Sequence, residues 1–207
     1  TRRHVPHLAR TQSLTMAHTV LLHSALGRTA GIDRIAEGLR ANGHEVFAPD
    51  FYGGHTFTTA EEGVGHSRTI GFSALVDRVK EACRGLDGPL VFAGLSLGAS
   101  IAQQMGKNDD RARGVLLLHG GGFPSRTRWQ PQVPVQVHFS VDDVWREPSQ
   151  VENLLASAAG VGAGAESCLY PGGSHLFSDP ESDDHDPKSA ALLWTRAERF
   201  LASTDAG

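Results

Sequence analysis

Six short apolar runs with little alternation punctuate the chain: HTVLLH (18–23), HEVFAPD (44–50), PLVFAG (89–94), GVLLLH (114–119), VPVQVHF (133–139) and ESCLY (166–170). Segments with apolar residues at helical spacing fall between and after them: GIDRIAEGLRANG (31–43), FSALVDRVKEAC (72–83), a helix that includes 101–105, one over about 149–158, and a last one over about 188–202. This order predicts an α/β protein. Strands that are apolar on both faces suit a mostly parallel, doubly wound sheet of about six strands flanked by helices.

At 207 residues the chain fits a single domain, and no internal repeat or long linker divides it. Residues 1–15, TRRHVPHLARTQSLT, lack the apolar segment of a secretory signal. They read as a disordered or non-native extension before a domain over 16–207, and the expected location is cytoplasmic. No uninterrupted apolar run reaches about 18 residues, so no membrane contact is expected. A net charge of −4 leaves no basic footprint for nucleic acid. Cys83 and Cys168 show no metal-ligand spacing and read as small buried hydrophobes. The 11 histidines are scattered, and no metal or cofactor is expected. Asp50 stands where a dinucleotide-binding fold places its acidic ribose ligand, but the preceding SALGRTAG lacks the Gly-x-Gly-x-x-Gly turn.

Three polar stretches have no assigned element. Two of them, 53–71 and 119–132, follow strand C-termini, the edge at which open α/β sheets bind ligands, and read as candidate pocket walls. The third, SDPESDDHD (178–186), reads as a solvated acidic loop.

The chemistry centres on LVFAGLSLGASIA (90–102), which places Ser96 between Gly94 and Gly98 at a strand-to-helix junction. A serine on so sharp a turn needs small neighbours, because strand and helix approach closely; the new helix then directs its first N–H groups beside the hydroxyl. This is a nucleophile elbow, and Leu97 N–H is its expected oxyanion donor. A serine hydroxyl needs a histidine base oriented by a carboxylate, and in this fold both follow the serine in chain order. VPVQVHF runs into SVDDVW, offering Asp142 and Asp143. ESCLY runs into PGGSHLFSD, offering His175. His119, in HGGG, follows the nucleophile instead of preceding it as a lipase oxyanion motif would, and is read as a loop residue. By analogy with the fold, the second oxyanion donor is Ala25 N–H in HSALG.

VLLHSALG, HEVFAPDFYGG, GLSLGAS, VHFSVDDVW and YPGGSHLFSDP resemble the dienelactone hydrolase family of α/β hydrolases over about residues 18–202. The resemblance implies Ser96 as nucleophile, His175 as base and Asp143 as acid, since the family's acid stands two residues before a large apolar side chain, here Trp145. That side chain would shield the Asp–His pair from water. Serine occupies the nucleophile position, where the name-giving enzyme is similar to a cysteine hydrolase, and Ser24 stands where its glutamate would fall. Arg68 and Arg126 lie in the candidate pocket loops. The expected activity is hydrolysis of a carboxylic ester, lactone or thioester of a small acyl substrate, by a monomer or small homo-oligomer. Acyl transfer, peptidase-like cleavage and a non-catalytic binding module are the competing readings.

Overall fold

Leu22 and Gly94 lie side by side at the C-terminal ends of two neighbouring strands, and this pairing places the site. The computed structural model describes residues 17–205; the extension expected over 1–15 lies outside them. The elements run β1 (His18–Leu22), α1 (Ala30–Ala41), β2 (Glu45–Phe47), α2 (Ala60–Ile70), α3 (Phe72–Ala82), β3 (Leu90–Leu95), α4 (Leu97–Asn108), β4 (Ala112–Leu118), β5 (Val135–Ser140), α5 (Pro148–Ala159), β6 (Ala165–Tyr170) and α6 (Pro187–Asp205).

Among the described residues the sheet has six strands in the order β2-β1-β3-β4-β5-β6. Every pairing is parallel, where the sequence predicts only a mostly parallel sheet. Side-chain alternation divides β1, β3 and β4 between two cores, while β5 turns Val135, Val137 and Phe139 to the first and Gln136, His138 and Ser140 to the other side. Val20, Leu22, Phe92, Val115, Leu117 and Val137 pack with α3, α4 and α5. Leu21, Val91, Ala93, Leu116 and Leu118 face the other way, against Ile35 and Leu39 of α1 and Leu193 and Leu201 of α6. The apolar runs of β1, β3 and β4 are therefore strands covered on both faces, whereas β2 and β6 are partly exposed edge strands. The direction of strand succession reverses between β1 and β3, so the connections leaving these two strands part to opposite sides and open a crevice above their C-terminal ends.

The stretch 53–71, expected as a loop, contains the helix α2. Thr59 caps it, accepting a hydrogen bond from Glu62 N–H at 3.3 Å while its hydroxyl donates to the Glu62 carboxylate at 3.0 Å. Apolar periodicity misses this helix because only Gly63 is buried along it; the Thr-x-x-Glu spacing is its sequence signal.

Candidate active site

Ser96 joins β3 to α4 with φ 53° and ψ −111°, a left-handed conformation that costs a non-glycine residue about 1–3 kcal/mol. Its N–H donates to Leu118 O at 2.8 Å, and its carbonyl accepts from Ala99 and Ser100 N–H. The turn fits only because the flanking residues lack side chains. A Cβ on Gly94 would stand 2.3 Å from the Gly98 carbonyl, and one on Gly98 would stand 2.3 Å from Leu22 O and 2.5 Å from His23 O. Those neighbours are backbone atoms and cannot rotate away. Gly98→Ala is therefore expected to cost about 1–3 kcal/mol of overpacking, a fall in melting temperature of several degrees at about 2–4 °C per kcal/mol. An unchanged melting curve in calorimetry would mean that β1 and α4 are not locked together.

The structure brings the predicted residues together. His175 Nδ1 lies 2.7 Å from Asp143 Oδ2, and His175 Nε2 lies 2.9 Å from Ser96 Oγ. An ionised carboxylate only accepts, so Nδ1 carries the imidazole proton and Nε2 is free to accept the serine proton. Asp143 is held by a second bond: its Oδ1 accepts Trp145 N–H at 2.9 Å. The Asp143 side chain is wholly buried. Trp145 is 58% exposed and lines the cavity, its ring centroid 5.9 Å from that of His175. The neighbouring Asp142 is exposed and offers its backbone N–H to Gly172 O.

Ala25 is on the turn after β1 and Leu97 is the first residue of α4; both line the same cavity as Ser96 and His175. A helix offers no partner for its first N–H groups, and Ala25 N–H makes no hydrogen bond among the described residues. His23 Nδ1 donates to Ser24 O at 2.8 Å, a carbonyl that also accepts from Gly27 N–H. In a trans peptide C=O and N–H point opposite ways, so fixing the Ser24 carbonyl also fixes the direction of Ala25 N–H. A Cβ on Gly63 would stand 2.1 Å from Ala25 O, so α2 packs directly on this turn.

The cavity holds about 330 Å³. Both predicted loops contribute walls: Ala60, Val64 and Arg68 from α2, and the stretch from His119 to Gly122 from the second. Arg68 stands exposed at the mouth, whereas Arg126 is exposed and does not line the cavity.

His119 is more than a surface loop residue. It is buried, takes φ 57°, and places its ring 6.2 Å from that of His175. Its Nε2 is 2.6 Å from Ser178 Oγ, while its Nδ1 is buried without a partner. The stretch 178–186, read as solvated, is also partly interior, with Ser178 and Asp179 buried. Among the described residues no three His, Cys, Asp or Glu side chains are grouped to hold a metal ion, and no helix is long and apolar enough to cross a membrane.

Three interior histidines are kept neutral. Burial pushes His23 down to about 4 and His138 down to about 3, and it holds His119 well below the usual imidazole range, with His175 and His138 adding repulsion. Between about pH 6.5 and 4 the unfolded chain binds protons at these sites and the folded chain does not. Stability must then fall with falling pH, by up to about 1.4 kcal/mol per pH unit for each histidine. Asp179, held above the usual carboxylate range by burial, acts in the opposite sense but is one group against three. The expected result is a melting temperature that drops steadily from pH 7 to 4.5, ahead of carboxylate titration. A flat profile over that window would show that the three imidazoles take up protons without unfolding.

The model of the dienelactone hydrolase family matches residues 7–204. Among solved structures, the dienelactone hydrolase-like promiscuous phosphotriesterase P91 from metagenomic libraries superposes with a TM-score of 0.75 at 16% identity, over 91% of this chain and 86% of that one. Thermogutta terrifontis esterase 2 gives 0.68 at 14% identity, over 91% and 83%. TT1662 from Thermus thermophilus gives 0.60 at 21%, over 90% and 89%. At these identities the likeness is one of fold. No curated protein matches the sequence.

Proposed function

The chain belongs to the dienelactone hydrolase family of α/β hydrolases, and from that premise we propose that it is a serine hydrolase cleaving carboxylic esters, lactones or thioesters through an acyl-enzyme intermediate. The observation that carries this reading is the unbroken relay from Asp143 through His175 to Ser96, at 2.7 and 2.9 Å, with Ser96 and His175 lining a cavity large enough for a small acyl substrate. Ser96 Oγ attacks the carbonyl carbon as His175 Nε2 takes its proton. The negative charge forms on the carbonyl oxygen, which Leu97 and Ala25 N–H receive. Collapse expels the alcohol or thiol, which takes the proton from His175. Water then repeats the cycle on the acyl-serine, releasing the acid and restoring Ser96. Asp143 remains ionised throughout and stabilises the imidazolium. Thermogutta terrifontis esterase 2 has been solved phosphonylated by cyclosarin, a covalent modification in keeping with this reading.

The test is intact-mass detection of a fluorophosphonate adduct mapped to Ser96, joined to turnover of p-nitrophenyl esters of graded chain length, then lactones and thioesters. Competing alcohols in the assay separate hydrolysis from acyl transfer. Folded protein that neither labels nor turns over any of these would overturn the proposal and favour a binding module.

A further inference from the structure

Resting on the reading of Ser96, His175 and Asp143 as a hydrolytic triad, we propose that Asp184 is a positioning residue for the base: its carboxylate fixes the backbone of His175 and so holds the imidazole between Asp143 and Ser96. His175 arrives on Pro171-Gly172-Gly173-Ser174, with Gly172 at φ 89°. Consecutive glycines give the chain wide conformational freedom. The order that a catalytic base requires must therefore come from outside this segment.

It comes from two sides. Asp184 Oδ2 accepts the N–H groups of both His175, at 3.1 Å, and Leu176, at 3.2 Å. On the other side, Ser140 Oγ donates to Ser174 O at 2.6 Å. The planar Ser174–His175 peptide is thus gripped at its C=O and at its N–H. Ser140 is the last residue of β5, three positions before Asp143, so the strand end that carries the acid also holds the peptide of the base. Asp184 itself belongs to a folded turn. Its N–H donates to Ser182 Oγ, while Asp186 N–H and His185 Nδ1 both donate to Phe177 O. Asp179 N–H closes back on Leu176 O. The acidic run is therefore a brace for the segment that carries His175. Among the described residues the exposed Asp184 carboxylate forms no ion pair, and its hydrogen bonds are the two from these backbone amides.

Both bonds fall on a single oxygen, so the proposal separates shape from charge. An asparagine can place its amide oxygen where Oδ2 stands; an alanine can place nothing there. The experiment compares Asp184→Ala, Asp184→Asn, Ser140→Ala and, as a control, the exposed neighbour Asp183→Ala. It reads kcat and KM on a p-nitrophenyl ester, the rate of fluorophosphonate labelling, and the downfield imidazole proton resonance of the His175–Asp143 bond, assigned by its loss in His175→Ala.

Displacing a catalytic group by about 1 Å costs on the order of 100-fold. Asp184→Ala is accordingly expected to lower kcat and labelling roughly 10- to 100-fold, with KM little changed and the resonance broadened or lost. Asp184→Asn is expected to recover most of both, and Asp183→Ala to match the wild type. Should Asp184→Ala fail to fold, Ser140→Ala carries the test from the opposite side of the peptide, with a loss in the same sense. Wild-type kcat together with an unchanged resonance in the variants that fold would overturn the proposal. A wild-type protein inactive on every ester, whose resonance still depends on Asp184, would remove the hydrolase reading and leave the positioning role standing.

Discussion

Replacing Ser96 with alanine is expected to abolish fluorophosphonate labelling and to lower ester turnover by roughly five to six orders of magnitude, while the chain still folds. The loss is large because the serine oxygen forms the covalent bond. Leu97 and Ala25 N–H would remain, and with substrate binding they sustain only the residual acceleration that such sites keep once the nucleophile is gone. The fold survives because the turn is built by backbone contacts: Ser96 N–H to Leu118 O, Ser96 O to Ala99 N–H, and the close approach of Gly98 to β1. None of these uses the hydroxyl, whose contact is with His175 Nε2. His175→Ala is expected to fall nearly as far, because a serine without its base stays protonated. His119 cannot take over, since its Nε2 is engaged by Ser178 and burial disfavours the protonated ring that a base must become. Turnover within tenfold of wild type in Ser96→Ala would assign the chemistry to another residue.

The fold was legible because its central strands β1, β3 and β4 are apolar on both faces. VLL, LVFA and VLLL suit strands lying between two helical layers, and the helices between them carry apolar stripes that Ile32, Ile35 and Leu39 of α1 illustrate. The elbow was legible for a related reason: Gly94 and Gly98 leave space into which strand and helix close, and the sequence displays that space directly. What escaped were features whose physical basis is not apolar periodicity. Helix α2 buries only Gly63 and so has no hydrophobic stripe to read. His119 and Asp184 act through contacts with residues distant along the chain or across a loop, His119 on Ser178 and Asp184 on the amides of His175 and Leu176. A histidine after a strand or an aspartate in an acidic run is common in sequence. Only the folding of 171–186 back over the strand ends gives either of them a partner.

Asp143→Asn is expected to lower turnover by roughly four orders of magnitude, and Asp142→Asn by tenfold or less. From residue types alone the adjacent aspartates are equivalent; the turn after β5 makes them different. Asp143 N–H and Arg146 N–H close successive bonds on Ser140 O and Asp143 O, and this turn carries the Asp143 side chain inward and leaves that of Asp142 exposed. The two oxygens of Asp143 then have separate duties, Oδ1 accepting Trp145 N–H and Oδ2 facing His175 Nδ1. An asparagine at 143 has one acceptor for these two donors. If its oxygen stays on Trp145 N–H, its NH₂ group faces His175 and stabilises the tautomer that accepts at Nδ1 and carries the proton on Nε2. That proton then points at Ser96 Oγ, and the imidazole can no longer take the serine proton. If the amide turns the other way, its buried NH₂ group meets Trp145 N–H donor to donor, a cost of about 1–3 kcal/mol for the unsatisfied groups. The first arrangement is therefore favoured, and turnover falls through loss of the correct tautomer while the geometry is preserved. Asp142→Asn leaves all of this intact, because the contact Asp142 makes with the His175 segment is its backbone N–H to Gly172 O. Rates on a p-nitrophenyl ester at neutral pH distinguish the two variants directly, and the reverse ranking would transfer the role of the acid to Asp142 while leaving Ser96 and His175 in place.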